Sequence, residues 1–394
     1  MQGDFVRSTY LTDDRRMLRD LARDFTRKKV RPMADQLDAQ KADFPDELID
    51  EMAALGFFGI TVPEDLGGLG LGAVEYCLIA EELTQGWMSV GSLIARGNSA
   101  YKSIQGTPEQ RRAKTALMME GKYLFAGALS EPGVGSDLSG VTCTARRVGD
   151  EWVITGNKYW CTFADRANVI LVLCREELGE GPTGRTVMVA VEKERGAFVE
   201  GLVGNPIPKI GYYGWKTYEL AFDGVRAPVN AGADEGDGFR DVAFALGLAR
   251  VHTAARSIGL AQAALDDAIE YAQQRVQFGR PIGDFQAIRF KIATMATELE
   301  AARQLMYSVA QALDAGEQCR AEISMVKYFA AEMAERVTSE ALQILGGAGY
   351  TTLHSVERHW RDARLTKIFE GTSEIQQRII SDVLLGREYR ERGG

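Results

Sequence analysis

The stretch IRFKIATMATELEAARQLMYSV (288–309) sets Ile288, Ile292, Met295, Leu299, Ala302, Met306 and Val309 three or four residues apart. That period marks one face of an α-helix, and a stripe kept for about six turns is far longer than a strand needs. Upstream, Ile258, Ala261, Leu265, Ala268 and Ala272 repeat the pattern. Two long stripes in succession predict helices packed side by side in a bundle. Most of each stripe reads as internal core, with a seam open to another subunit.

Between about 126 and 238 the period changes. Val169–Cys174 and Thr186–Val191 are short apolar runs, and Tyr218, Leu220 and Phe222 alternate with more polar neighbours as on a half-buried strand. Before that, residues 12 to about 125 read as helices again. Thr12 suits an N-cap ahead of Asp13 and Asp14, and Leu18, Leu21 and Phe25 recur at helical spacing. VPEDLGGLGLG (62–72) is a glycine-rich break; it lacks the Lys-Ser/Thr pair of a phosphate loop and reads as a turn. The expected organisation is mostly α with a central β-domain: a helical domain over 1–125, a β-domain over 126–238 and a helical bundle over 239–394.

Composition narrows the function. A formal net charge of −9 over 394 residues disfavours general binding to nucleic acid or an anionic membrane. Cys77, Cys143, Cys161, Cys174 and Cys319 form no close pair, so neither a disulfide framework nor a zinc site is expected. His252, His354 and His359 are too few for a multi-histidine metal centre. MQGDFVRSTYLTDDRR has no apolar signal core, and no stretch reaches membrane-spanning length. These features predict a soluble protein of a reducing compartment, the cytoplasm.

Five segments carry candidate chemistry. IFEGTSEIQ (368–376) places Glu370 between Phe369 and Gly371. Removing a weakly acidic C–H proton needs a carboxylate in an apolar slot beside an electron acceptor. The aromatic would desolvate the carboxylate, and the glycine lets a ligand approach closely. Alone, the same glutamate reads first as a cap or a solvated charge. FAGALSEPGVGSD (125–137) is a loop of small residues whose backbone can lie against a flat ligand, with Ser130, Ser136 and Asp137 as hydrogen-bonding groups; alone it is also an ordinary tight loop. GNKYWCTFA (156–164) offers Trp160 to cover a ring face and Thr162 to donate to a ring heteroatom, against the reading of a buried strand tryptophan. In QRVQFGRPIGDFQ (274–286), Arg275 suits a pyrophosphate, whereas Arg280 reads as a solvated helix end. QILGGAGY (343–350) supplies a Gly-Gly turn after a helix, either a C-cap or bare backbone for a nucleotide.

Taken together, in this order and spacing, these motifs make the chain resemble the acyl-CoA dehydrogenase family over essentially its whole length. The resemblance implies an N-terminal helical domain, a middle β-barrel-like domain, a C-terminal four-helix bundle, one FAD per subunit and a homotetramer. It implies that Leu129, Ser130, Trp160 and Thr162 contact the flavin end of FAD. Arg275, Phe278, Gln343 and Gly347 would meet the pyrophosphate and adenosine part of an FAD bound mainly by a neighbouring subunit. Thr372 and Glu374 would complete the cofactor site, and Ser136, Arg250 and Gly371 would lie on the acyl-CoA side. Glu370 would be the base; the alternative base position of the family, just before Arg250, holds Ala249 here. Phe369 stands where Tyr is frequent, and Cys161 with Phe163-Ala164 replace a more usual Ile and Asn-Gly, which bears on the shape of the flavin environment.

The implied reaction is α,β-dehydrogenation of an acyl-CoA to the 2,3-enoyl-CoA, with an electron-transfer flavoprotein taking the electrons. A flavin oxidase or monooxygenase on the same fold, and a non-catalytic helical scaffold, are the competing readings. Residues 84–100, 209–228 and 249–266 look like the branch acting on 2-substituted succinyl-CoA, such as methylsuccinyl- or benzylsuccinyl-CoA; the alternative is a short- or branched-chain acyl group. A second carboxylate needs a cation or several donors. Arg96 and Gln85 are the candidates, because they flank Trp87–Leu93, which the family places near the acyl pocket.

Overall fold

In the computed structural model, which describes residues 10–98, 100–178, 181–229 and 238–387, the chain opens with six helices. They are α1 (Asp13–Phe25), α2 (Arg31–Leu37), α3 (Glu47–Ala54), α4 (Ala73–Gly86), α5 (Met88–Leu93) and α6 (Pro108–Met119). The first nine residues, read above for a signal core, lie outside the described ones. Thr12 is the N-cap of α1, its hydroxyl accepting from the Arg15 N–H at 3.3 Å. The inward face of α1 is not the predicted one: Leu21 is exposed, while Arg19, Ala22 and Thr26 are buried. The cause is electrostatic. Arg15 pairs with Glu75 at 2.6 Å and Arg23 with Glu82 at 2.8 Å, rolling α1 onto the acidic edge of α4.

The glycine-rich break is a turn, as expected, with Gly67 and Gly70 at positive φ. Beyond α6 comes a seven-stranded sheet of β1 (Phe125–Ala128), β2 (Thr144–Val148), β3 (Glu151–Thr162), β4 (Val169–Leu178), β5 (Gly181–Glu192), β6 (Leu202–Pro206) and β7 (Thr217–Pro228). β4 is its hub. β1 runs parallel to Val169–Val172 and β2 parallel to Arg175–Glu177, while β5 lies antiparallel to it. From β2 the sheet continues through β3 and β7 to β6. Tyr218, Leu220 and Phe222 all point into the core, as the alternation predicted.

The rest is helical apart from one hairpin: α7 (Gly238–Gln274), β8 (Val276–Gln277), β9 (Arg280–Pro281), α8 (Gln286–Asp314), α9 (Arg320–Leu345), α10 (Val356–Thr366) and α11 (Ser373–Leu384). Every residue of the α7 stripe is buried. In α8 the stripe is buried from Met295 onward, whereas Ile288 and Ile292 are half-buried beside the hairpin. The N-terminal helices are not a separate layer. Glu81 of α4 accepts from Arg303 at 2.9 Å and from the Tyr307 hydroxyl at 3.0 Å, and Asp314 at the end of α8 accepts from the first N–H groups of α4. Among the described residues, no helix is long and apolar enough to cross a membrane.

The crossing of α7 over α4 depends on Gly259. A Cβ there would sit 2.5 Å from the Glu81 carbonyl oxygen and 2.9 Å from Thr84 Cβ. Gly259→Ala forces two long helices apart, with an expected loss of about 1–3 kcal/mol of stability. Denaturant unfolding checks this, and an unchanged midpoint removes Gly259 as the determinant of the crossing.

Candidate active site

After α10 the chain reverses through two consecutive left-handed residues, Glu370 (φ 55°) and Gly371 (φ 90°). Thr372 then caps α11, its hydroxyl accepting from the Ile375 N–H at 3.3 Å. A glutamate in this conformation is costly by about 1–3 kcal/mol, so the surroundings must impose it. They do so at Gly371, whose carbonyl accepts from Lys327 Nζ at 2.6 Å and from Gln376 Nε2 at 3.0 Å. A Cβ at 371 would lie 2.5 Å from Gln376 Nε2.

The apolar slot expected around Glu370 is not what the structure holds. Its carboxylate is ion-paired with Arg256, whose Nη2 donates to both oxygens at 2.8 and 2.9 Å. The Thr253 hydroxyl also donates to Oε2. Phe369 is present as predicted, but its ring lies under the Arg256 guanidinium, 4.7 Å from the ring centroid. Arg256 is only 2% exposed and Glu370 27%. Burial is the largest influence and disfavours the charged guanidinium, but the charge and hydrogen bond of Glu370, with Tyr212 and Tyr76 nearby, together outweigh it and raise the Arg256 pKa.

Three more cations stand close enough for Glu370 to act on them. Arg96 packs over Trp215 at 5.0 Å and over Phe163 at 5.8 Å. Its Nε is buried with no hydrogen-bond partner, and burial lowers its pKa. Arg250 on α7 likewise has a buried, unpartnered Nε, and its pKa is lowered by burial and then by Arg320. Burial brings Lys327 down to about 8, against the pull of Glu370. Gln85 does not join this group: its side chain donates to Glu82 at 3.1 Å, beside Arg23 on the α1 flank.

A second cluster forms where the loop after β1 meets β3. Lys158 Nζ donates to the Leu129 carbonyl at 3.0 Å and the Tyr159 N–H to the Ser130 carbonyl at 2.8 Å. These bonds draw Leu129 and Ser130 up to the bulge containing Trp160, which has φ 63° and is 59% exposed, so the buried-tryptophan reading is wrong. The Thr162 hydroxyl is 2.9 Å from that of Thr217. At Gly127, Gly133 and Gly135 a Cβ would meet nothing within 4 Å. An exposed indole, a hydroxyl and bare backbone on one surface fit the flat end of FAD. Ser136 is exposed in the same loop.

The remaining predicted residues face outward. Arg275, Phe278, Gln343, Gly347 and Glu374 are exposed, Phe278 to 93%. Arg275 and Phe278 belong to the β8–β9 hairpin region, which corrects the reading of a plain helix end. Arg280 is not merely solvated there, since its guanidinium stacks 4.3 Å from the Phe285 centroid.

Sequence reasoning missed Arg256, Thr253, Lys327 and the Lys158–Glu131 pair. One signal for Arg256 was available: HTAARSIGL (252–260) has no acidic residue within reach along its own helix, which calls for a distant partner.

Comparison with known proteins gives matches along almost the whole chain. The family profile described as acyl-CoA dehydrogenase, N-terminal domain, matches residues 12–122; the middle-domain profile matches 126–225 and the C-terminal-domain profile 236–385. The 3-(aryl)acrylate reductase of Clostridium sporogenes is 39% identical over 95% of this chain and 100% of its own length. The (2S)-methylsuccinyl-CoA dehydrogenase of Cereibacter sphaeroides is 37% identical over 98% of this chain and 73% of its own. Among solved structures, a glutaryl-CoA dehydrogenase from Mycobacterium smegmatis in complex with FADH2 has a TM-score of 0.90 at 27% identity, covering 98% of each chain.

The loop-to-β3 cluster hangs on Lys158, which is fully buried and pairs with Glu131 at 2.8 Å. Glu131 also accepts from the Thr142 and Cys143 N–H groups, both at 2.9 Å. Lys158→Met leaves a buried carboxylate without its cation, an expected cost of about 3–5 kcal/mol. Leu129 and Ser130 then lose their tether, and purified protein should retain less flavin, read from absorbance per chain. Lys158→Met/Glu131→Gln should recover part of both losses. Full flavin content in the single variant sinks this role.

Proposed function

This chain belongs to the acyl-CoA dehydrogenase family, and from that premise we propose that it oxidises an acyl-CoA thioester to the 2,3-enoyl-CoA with Glu370 as the base. The observation that carries the assignment is the Glu370 carboxylate itself, fixed in a strained turn and engaged by α7 through Arg256 and Thr253. A group held at such cost is in a functional position. FAD, on which the family depends, supplies the hydride acceptor when bound.

The work of this chain is positional and electrostatic. We assign the Glu370 backbone N–H as a donor to the thioester oxygen, where negative charge develops as the α-proton leaves. Glu370 takes that proton. Leu129, Ser130, Trp160 and Thr162 would hold the flavin end of the cofactor, with Thr372 and Glu374 completing the site. Ser136, Arg250 and Gly371 lie on the acyl-CoA side of this reading. Arg275, Phe278, Gln343 and Gly347 serve the cofactor of a neighbouring subunit, so the site needs at least a second chain, and the assembly of this reading is a homotetramer. Their exposure, with that of Tyr350 (83%) and Leu353 (86%) on the same helical region, is the support for a shared site. Electrons leave to an electron-transfer flavoprotein. Free, buried thiols at all five cysteines suit a reducing compartment, the cytoplasm.

For the acyl group, the reading is a 2-substituted succinyl-CoA of the methylsuccinyl or benzylsuccinyl kind. Its support is the surplus of cations, Arg96, Arg250, Arg256 and Lys327, around one carboxylate, together with the relative that acts on methylsuccinyl-CoA. A buried guanidinium without a partner is costly unless the ligand brings an anion. Of the two residues nominated from sequence, Arg96 keeps this role and Gln85, bound to Glu82, does not.

Glu370→Gln should keep its yellow colour, because the flavin contacts lie on other side chains. It should reduce flavin more slowly by on the order of 10²–10⁴-fold in anaerobic mixing. Bleaching near the wild-type rate removes Glu370 as the base. Position 249 lies one turn from Thr253, whose hydroxyl oxygen is 3.0 Å from the Ala249 carbonyl, so Ala249→Glu in that background should restore some activity. A panel of straight-chain, branched and dicarboxylic acyl-CoAs tests the substrate: butyryl- or octanoyl-CoA turning over faster than every succinyl derivative would sink the dicarboxylate reading.

A further inference from the structure

We propose that Arg256 is a latch on the base, opened when the second carboxylate of the substrate takes the place of Glu370 on its guanidinium; this rests on the dicarboxylate reading above. In the structure the base is engaged on both oxygens. Arg256 Nη2 reaches Oε1 and Oε2 at 2.8 and 2.9 Å, and the Thr253 hydroxyl donates to Oε2. A carboxylate has about four acceptor positions, so most of those able to receive a proton are already in use.

Of the two partners, Glu370 is the one able to leave. Its side chain is 27% exposed and sits in a turn, whereas Arg256 is 2% exposed and fixed from several sides. Arg256 Nη1 donates to Ser92 Oγ at 2.8 Å, Nη2 donates to Thr253 Oγ1 at 2.8 Å, and the guanidinium lies on Phe369. It cannot follow Glu370 or reach water. Freeing the base therefore leaves a buried cation unpaired unless another anion arrives.

Arg96 marks where that anion goes. It stands close enough for the two guanidinium charges to repel, with its own Nε unpartnered and its guanidinium over the rings of Trp215 and Phe163. Tyr212 closes the group, its ring edge-on to both Phe369 and Trp215. A carboxylate placed between Arg96 and Arg256 relieves the repulsion, satisfies both cations and releases Glu370 in one move. An acyl-CoA with no second carboxylate can enter but cannot replace Glu370, so the deficit falls on the rate of proton removal rather than on binding alone.

The test uses holoenzyme with 2-methylsuccinyl-CoA and butyryl-CoA as probes. In Glu370→Gln, whose flavin reduction is slow enough for binding to equilibrate first, calorimetric titration should show at least about 100-fold preference for methylsuccinyl-CoA. Adding Arg256→Gln should collapse the preference to below about tenfold. A preference untouched by Arg256→Gln overturns the latch and leaves recognition to Arg96. Should the double variant fail to fold, wild-type enzyme decides: the limiting rate of flavin reduction at saturation must be at least about 100-fold higher for methylsuccinyl-CoA. Equal limiting rates with different KM values overturn the latch while leaving the substrate reading intact. No preference for the dicarboxylic probe in either measurement instead overturns the substrate reading itself.

Discussion

The ion pair between Arg256 and Glu370 is the interaction around which the molecule is arranged. It ties the middle of α7, the longest helix described here, to the reversal between α10 and α11. A buried guanidinium needs a rigid cage, and each wall comes from a different part of the chain: Ser92 from α5, Thr253 from α7 itself, Phe369 from the turn. The cage exists only if α4 and α5 lie hard against α7. Gly259 permits that approach, and the Glu81–Arg303–Tyr307 cluster holds it from the α8 side.

The segment 210–215, whose Tyr212 packs edge-on to Phe369, is held in the same manner. Asp362 of α10 accepts from the Tyr212 N–H at 2.6 Å, fixing Tyr212 at φ 59° with its ring against Phe369 and Trp215. Burial, with Asp38 nearby, brings Asp362 up to about 7. Arg361 pairs with Asp38, which also accepts from the Trp87 indole at 3.2 Å, and Arg358 pairs with Asp35 at 2.9 Å. The arginines of α10 thus join α2, α4 and the segment 210–215. This gives the basic helix ahead of Glu370 a structural role: it is a strut between layers.

What was legible in the sequence follows from which forces are local. Periodicity reports burial, so the α7 and α8 stripes and the alternation of β7 were read correctly from residues alone. Thr12 was legible because a cap is a contact over three residues. The face of α1 was misread because Arg15 and Arg23 answer to Glu75 and Glu82, about sixty positions away, and charge pairing overrode the leucine spacing. The same limit applies at the site. Glu370 was found from its motif, but its surroundings were taken from Phe369 and Gly371, which are neighbours in sequence. The decisive neighbour is Arg256, 114 positions earlier, and Gln85 was lost to Glu82 only three positions away. The exposure of Trp160 agrees with its reading as a residue free to cover a ring, whereas the Lys158–Glu131 pair beside it was not legible, since lysines in strands usually face water.

An apolar slot and a guanidinium cage solve the problem of a catalytic carboxylate in opposite ways. In the first, the base is made strong permanently by lack of solvation, and any ligand that fits meets it ready. In the second, which is the proposed latch, the base would stay paired until an interaction elsewhere on the substrate removed its partner. Binding free energy from a remote, non-reacting carboxylate is then used to free the reacting one, and it appears in the rate of the chemical step. The surplus of positive charge around Glu370 is costly to the free protein, because Arg96 and Arg250 are desolvated without full partners. On the proposed reading, a ligand bringing two negative groups, CoA phosphates and a second carboxylate on the acyl group, would relieve that cost.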